Sequence, residues 1–433
     1  MSLRNLTTLF LASIISLACY LRADRNRYSW TLGQAMNVVT SNYLEDVSYR
    51  QLYESAMRGM VEALDQYSDY IGPEQYTYFE EGLNQEFGGI GIMVEINPET
   101  NRLTVMTPLV DTPAFRAGLK AGDTILAIDG QDTEGMSLQR AVKLMRGRPG
   151  DKVRLSILHA GADEPEQMVI KRAIIPLESV LGDRRDPNGG WLFPLEDEPR
   201  ILYIRLVNFG ERSVEELTET IRHHDFEALI LDLRDNAGGL LSSAVGTCDL
   251  FIDQGVVVST RGREGQTFRA YSARAPMLVP PEIPMVVLVN GYSASASEIV
   301  AACLQDYGRA IVIGERTWGK GTVQNVIPLE GGRAALKLTT ASYWRPNGKN
   351  IHRLSDATED DDWGVRPDEG FHIELTEEEA DRIRRDRRRR DGFRPEKSNS
   401  DVQDEDDESN GFFDPPLHRA IEHLQLRVRV PTA

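Results

Sequence analysis

Three short segments of this 433-residue sequence carry side chains whose types and spacing suit hydrolysis. In the first, the apolar run Met285-Val286-Val287-Leu288-Val289 passes through Asn290-Gly291-Tyr292 into Ser293-Ala294-Ser295-Ala296-Ser297-Glu298. It reads as a strand entering a tight turn, then a helix opening with small residues. A serine at a helix N-terminus meets partial positive charge that favours an alkoxide. Serine also needs a base, and no histidine accompanies these segments. The second segment supplies Lys320, set between Gly319 and Gly321 after Trp318. Lysine can take a serine proton where burial disfavours its charged form. Gln324, four residues on, could hold the amine without adding charge. The third segment, Leu229–Leu240, runs from an apolar strand through Gly238-Gly239 towards a helix. Backbone N–H groups at such a turn can stabilise an oxyanion. On chemistry alone Ser293, Ser295 and Ser297 are all candidates.

Two other chemistries meet obstacles. Gly314–Lys320 fits the start of a phosphate-binding loop, GxxxxGK, but Gly321 stands where a magnesium-binding Ser or Thr belongs. The following Thr322–Leu329 also reads as a strand, not the helix that motif requires. A Ser–His–Asp triad would have to draw on His223, His224 or His352, with no GxSxG elbow to support it. The seven histidines form no HExxH, and Cys19, Cys248 and Cys303 form no CxxC, so neither a metal nor a cofactor is expected.

The positioning elements fall into successive regions. From Trp30 to Tyr78 the pattern is helical, with Leu52, Ala56, Met60 and Leu64 recurring every four residues. Phe87-Gly88-Gly89-Ile90-Gly91-Ile92 then opens a strand-rich stretch, where glycines let backbone N–H groups approach a ligand. Ala117-Gly118-Leu119-Lys120-Ala121-Gly122-Asp123 follows as a turn, and Leu138, Ala141, Val142 and Met145 make one apolar helix face. From Ile174 to Leu375 apolar runs alternate with helical stretches, the pattern of an α/β layer fold. Thr376 and Glu379 form a capping box for a helix that becomes the arginine-dense run Arg382–Arg390. That run reads as a solvated helix end balanced by nearby acids, with contact to anionic lipid as the alternative. An acidic, disordered linker and a short C-terminal helix bearing Leu417, Ile421, Leu424 and Leu426 complete the chain.

The Glu81–Arg172 stretch resembles a PDZ domain. The resemblance implies that Gly89, Ile90, Gly91 and Ile92 form its carboxylate-binding loop. It also implies that a peptide adds as a strand between that loop's strand and the Ser137–Arg146 helix. The order N-G-Y-S-A-S-A-S-E, then G-K-G-T-V-Q, with L-D-Q-Y-S-D-Y-I at Leu64–Ile71 and W-G-V-R-P-D at Trp363–Asp368, resembles the carboxyl-terminal processing (tail-specific) proteases. This implies a crotonase-like α/β core with an inserted PDZ domain and an N-terminal helical region. It implies Ser295 as nucleophile, Lys320 as general base, Gln324 as its orienter, and an oxyanion hole from Gly238 and Ala296. The expected partners are proteins or peptides with apolar C-terminal tails. Four departures stand out: Ala237 for a common proline, Tyr292 for a common glycine, Trp318 for a common phenylalanine, and an acidic linker beyond residue 390 with no clear counterpart. None removes a catalytic group. The rival reading is a PDZ scaffold whose protease core has lost activity.

The domains expected are a signal or anchor segment 1–28, helices 29–80, the PDZ domain 81–172, the protease core 173–378, a charged linker 379–412 and a C-terminal helix 413–433. Net charge of −18 argues against nucleic acid as a partner. The apolar Leu6–Leu21 run after Arg4 resembles an export signal or membrane anchor, cleaved near Ser16-x-Ala18, retained or lipidated at Cys19. An extracytoplasmic site of action follows from it. Homo-oligomerisation is left open.

Overall fold

Four apolar runs, Ile201–Leu206, Ala228–Asp232, Met285–Val289 and Ile311–Gly314, form the parallel part of a central sheet. Such strands, covered on both faces, need near-continuous hydrophobic sequence, and all five residues of Ala228–Asp232 and of Met285–Val289 are buried. Val180–Leu181 adds an antiparallel edge beside Ile201–Leu206. The computed structural model describes residues 27–97, 100–186, 189–391 and 413–428, together with 5, 7, 10–14 and 16. Most of the N-terminal apolar run, including Cys19, and the acidic linker beyond 391 lie outside these residues. Among the described residues no helix is long and apolar enough to cross a membrane.

The chain divides into two compact units, Met1–Tyr76 with Gln324–Thr339, and Thr77–Val323 with Thr340–Ala433. In the first, helices Arg27–Asn42 and Tyr49–Glu62 precede a short strand, Asp69–Ile71, paired antiparallel with Ala335–Lys337. Its small core is Val61, Tyr70 and Ala334 with Tyr53 and Met57 against them. The core-facing stripe of the second helix is therefore Tyr53, Met57 and Val61, of which only Val61 is fully buried. The expected stripe lies one residue off it, and Met60 and Leu64 are 55% and 61% exposed. Both stripes have four-residue spacing; the Tyr53–Tyr70 edge-to-face contact at 5.9 Å belongs to the one that is covered.

In the second unit, helices Ser213–Arg222, Leu241–Asp249 and Ala296–Asp306 belong to one hydrophobic cluster with the central sheet. The C-terminal helix Pro415–Val428 belongs to a second cluster through Leu417, Ala420 and Leu424. It docks as expected, except that Leu426 points to solvent at 71% exposure.

The arginine-dense helix Glu377–Asp391 starts with the expected capping box: Thr376 N donates to Glu379 Oε2 at 2.8 Å, and Glu379 N to Thr376 Oγ1 at 3.3 Å. The solvated reading holds for exposed Arg382, Arg385, Arg388 and Arg389, but not for Arg387 and Arg390. Arg387 reaches Asp232 at 2.7 Å and Asp235 at 3.2 Å, Arg390 reaches Asp183 at 2.6 Å, and Asp391 pairs with Arg205. Buried Ile383 seats the helix as well. Only Arg382, Arg384 and Arg389 of the run pair with acids of their own helix alone in these ion pairs.

The PDZ-like sheet comprises Ile92–Ile96, Leu103–Pro108, Thr124–Ile128, Lys152–Leu158 and Glu166–Lys171, with Gln131–Asp132 beside the third. Its core includes Ile90, Val105, Ile125, Ile128, Leu155 and Ile157. Ser137 caps the helix Leu138–Met145 by accepting from Arg140 N. Ala141 and Met145 enter the core, whereas Leu138 stays 38% exposed. Chain enters and leaves this module through a two-stranded ribbon, Glu86–Gly89 against Ala173–Pro176.

Candidate active site

The turn after Met285–Val289 does three different things with three serines. Ser293 Oγ donates to Leu233 O at 2.8 Å and accepts from Asn290 N at 3.0 Å. Ser297 Oγ donates to Asn236 O at 2.8 Å. Both residues are wholly buried and brace the Leu233–Asn236 loop, while Ser295 between them keeps 7% exposure. Ser295 precedes the helix Ala296–Asp306 with φ 57° and ψ −111°. A non-glycine residue held there stores local strain, which persists only where the surroundings over-determine it.

Glu298 supplies that constraint. It is completely buried, and its carboxylate accepts four hydrogen bonds. Oε1 takes Thr317 Oγ1 at 2.6 Å and Gly319 N at 2.7 Å; Oε2 takes Ser295 N and Lys320 N, each at 2.8 Å. One oxygen thus ties the serine backbone to the lysine backbone. Burial pushes the carboxyl up to about 7, against these donors, which pull it down. Glu298 was missed in the sequence reading, although Ser295-x-x-Glu298 is itself a capping-box pattern.

The Lys320 segment is held by its backbone. Trp318 N donates to Ser293 O at 3.0 Å, Arg353 N to Gly319 O at 2.9 Å and Tyr343 N to Gly321 O at 2.7 Å. A Cβ on Gly321 would stand 2.2 Å from His352 N, so glycine is required there. A strand, Thr322–Leu329, follows, as the sequence suggests, and not the helix of a phosphate-binding loop.

Gly238 lies against the serine turn. An added Cβ would fall 2.7 Å from Ala294 O, 2.8 Å from Ser295 Cβ and 2.9 Å from Ala296 N, and its φ is 101°. The structure thus brings Gly238, Ser295 and Ala296 together. The Gly238 N–H itself donates to Asn236 Oδ1 at 2.8 Å. Ala294 N donates to Asn236 O at 3.0 Å, which joins the two loops directly.

Gln324 belongs to the first unit. Its Nε2 donates to Thr339 Oγ1 at 3.2 Å, and Thr339 Oγ1 donates on to Asp65 Oδ1 at 3.2 Å. Asp65 anchors the Leu64–Ile71 motif by accepting from Tyr67 N and Ser68 N, each at 2.8 Å. Burial opposes its ionisation, but these donors and Ser68 Oγ hold the carboxyl below the usual range. His223 and His224 bond the Glu219 and Thr220 carbonyls at a helix end.

At the PDZ loop, Gly89 ends the entry strand and Ile90 is buried. Ile90 O accepts from Ala114 N at 2.9 Å, and Gly91 O from Leu109 N at 3.0 Å and Thr112 Oγ1 at 3.0 Å. With φ 79° and Thr112 within 2.6 Å of a would-be Cβ, Gly91 admits no side chain. Elsewhere in the module His159 Nδ1 lies 2.9 Å from buried Asp123, which raises the imidazole's proton affinity. This stabilises the module fully below the ordinary histidine range and is lost as pH rises through the raised value. Amide exchange of the full chain between pH 5 and 9 should show the Thr124–Ile128 and Lys152–Leu158 strands losing protection with rising pH. His159→Ala should flatten that dependence.

Residues 200–370 match Peptidase family S41, residues 104–158 a PDZ domain, and residues 25–75 the N-terminal domain of the activating protease CtpB. The carboxy-terminal-processing protease of Bartonella bacilliformis is 38% identical over 78% of this chain and 73% of its own length. The carboxyl-terminal-processing protease of Synechocystis sp. is 37% identical over 73% of this chain and 70% of its own. Among solved structures, the photosystem II D1 C-terminal processing protease aligns over 79% of this chain and 92% of that one, at 26% identity and TM-score 0.42.

Proposed function

The chain belongs to peptidase family S41, among the carboxyl-terminal processing proteases with a PDZ domain, and on that premise we propose that it cleaves tailed proteins through a Ser295–Lys320 pair. One observation carries this reading: Glu298 Oε2 accepts from both Ser295 N and Lys320 N, fixing the two backbones side by side. The tail's carboxylate binds at Gly89–Ile92 and the tail adds as a strand to the PDZ sheet. Ser295 Oγ attacks an upstream peptide carbonyl as Lys320 removes its proton. The lysine returns that proton to the leaving amine, and water hydrolyses the acyl-enzyme. Gly238 N–H exchanges Asn236 Oδ1 for the developing oxyanion, joined by the N–H of Ala296. The Leu6–Leu21 run supports an extracytoplasmic, membrane-associated site of action.

The test is cleavage of a loosely folded protein with an apolar C-terminal tail by the purified chain. Ser295→Ala and Lys320→Ala should each abolish turnover while tail-peptide affinity stays within about twofold, since neither change touches the PDZ module. Unimpaired cleavage by Lys320→Ala would move the base elsewhere. A parent that binds tails and never cuts would favour a scaffold.

A further inference from the structure

We infer that Arg387, on the arginine-dense helix Glu377–Asp391, is a positioning residue that clamps the oxyanion loop to the serine turn. The inference rests on the serine–lysine reading for its effect on turnover, but its geometry stands apart from it. Arg387 Nη2 donates to Asp232 Oδ2 at 2.7 Å and Nη1 to Asp235 Oδ2 at 3.2 Å, with the side chain only 11% exposed. These carboxylates begin and span the turn that leads to Gly238.

Asp232, at the end of a central strand, is the buried root of that turn. It accepts from Tyr203 OH at 2.7 Å, Arg234 N at 2.9 Å and Arg234 Nε at 3.0 Å. Asp235 is the outer grip. Its N–H donates to Asn290 Oδ1 at 3.0 Å, and its Oδ1 accepts from Asn290 Nδ2 at 2.9 Å. Asn290 opens the turn that carries Ser295. A single guanidinium therefore fixes both the foot of the Gly238 loop and the residue that pins this loop to the serine turn. Without it, Asp232 keeps Arg234, while Asp235 keeps the Asn290 amide and the charge of Arg384. Removing one partner of a buried ion pair is destabilising; here Asp232 loses one of its two guanidinium partners, and the strain would fall on the spacing between Gly238 and Ser295. Small misplacements of reacting groups are costly in rate.

Arg390 is the natural control. It holds the same helix to the core through Asp183 at 2.6 Å and touches neither loop in its ion pairs. In the full chain, Arg387→Gln is expected to lower kcat for tailed-substrate cleavage about tenfold or more with KM little changed. Arg387→Lys should recover part of the loss, and Arg390→Gln should leave kcat within about twofold. Hydrogen exchange gives a readout that needs no turnover. Peptides covering 232–240 and 289–296 should exchange faster in Arg387→Gln and at the parent rate in Arg390→Gln. Equal effects of the two glutamine variants on kcat and on both peptides would overturn the clamp, as would exchange that rises only within Glu377–Asp391. If Ser295→Ala cleaves like the parent, the serine reading falls while exchange still decides the clamp.

Discussion

Glu298→Gln should lower kcat for tail-dependent cleavage by about a hundredfold, the order expected when a catalytic group is misplaced by about an ångström. The carboxylate accepts four hydrogen bonds, two on each oxygen. A carboxamide keeps one accepting oxygen and offers N–H donors where two acceptor sites stood. Either the Ser295–Lys320 side or the Thr317–Gly319 side must come apart. The same logic gives a pH dependence. Burial places the Glu298 carboxyl at about 7, and a protonated oxygen cannot serve both of its donors. Turnover of the parent should therefore rise with pH through about 7, and Glu298→Gln should lack that limb. A limb unchanged in Glu298→Gln would assign it to another group.

Stability should move the opposite way. The folded carboxyl titrates near 7 against an ordinary value of 4.5, so the folded state holds the proton more tightly. The resulting contribution is fully present below 4.5 and lost as pH rises through about 7. Its size is on the order of 3 kcal/mol. Denaturant midpoints at several pH values, parent against Glu298→Gln, measure it. The chain would then be more active where this group makes it less stable, as expected of a buried charge kept for function.

Gly238→Ala is the second large effect, with turnover expected to fall about a thousandfold. The new methyl would press on Ala294 O, Ser295 Cβ and Ala296 N, all within 2.9 Å, at a backbone φ of 101°. Two of those three atoms are backbone, so no rotamer change relieves the contact. The loop must retreat from the serine turn and take its N–H away from the oxyanion. Binding of a tail peptide should be unaffected, because Gly238 lies outside the PDZ segment. A Gly238→Ala chain that cleaves at more than about a tenth of the parent rate would remove this glycine from the oxyanion hole.

What the sequence made legible follows from how local each signal is. The strand Met285–Val289 and the small-residue turn after it declare themselves within fourteen residues, and the structure builds them as read. What distinguishes Ser293, Ser295 and Ser297 is not local. It depends on carbonyls of Leu233 and Asn236, some sixty positions earlier, that occupy the two flanking hydroxyls. Glu298 was visible as a capping pattern, but its ties to Thr317, Gly319 and Lys320 were not, since capping describes one helix end and not what packs across it. The arginine run was legible only in part for a related reason. Its composition is that of a solvated helix, and nothing nearby reveals that Arg387 and Arg390 meet Asp232 and Asp183. In the helix Tyr49–Glu62, two adjacent four-residue stripes both satisfy periodicity, and only tertiary contact with Tyr70 chooses between them.

The paired ribbon at the PDZ boundary makes that module exchangeable. Gly89 and Ala173 are register partners, so the chain leaves the core and returns to it at one point. Everything between them is a detour that a short turn could close, or another module could replace, without redrawing a strand of the central sheet. Inheritance can therefore act on the two halves of the activity separately. On the proposed reading, the chemistry stays with a sheet whose connections are untouched, while the grip on substrates drifts, or is traded whole, through a single doorway two strands wide.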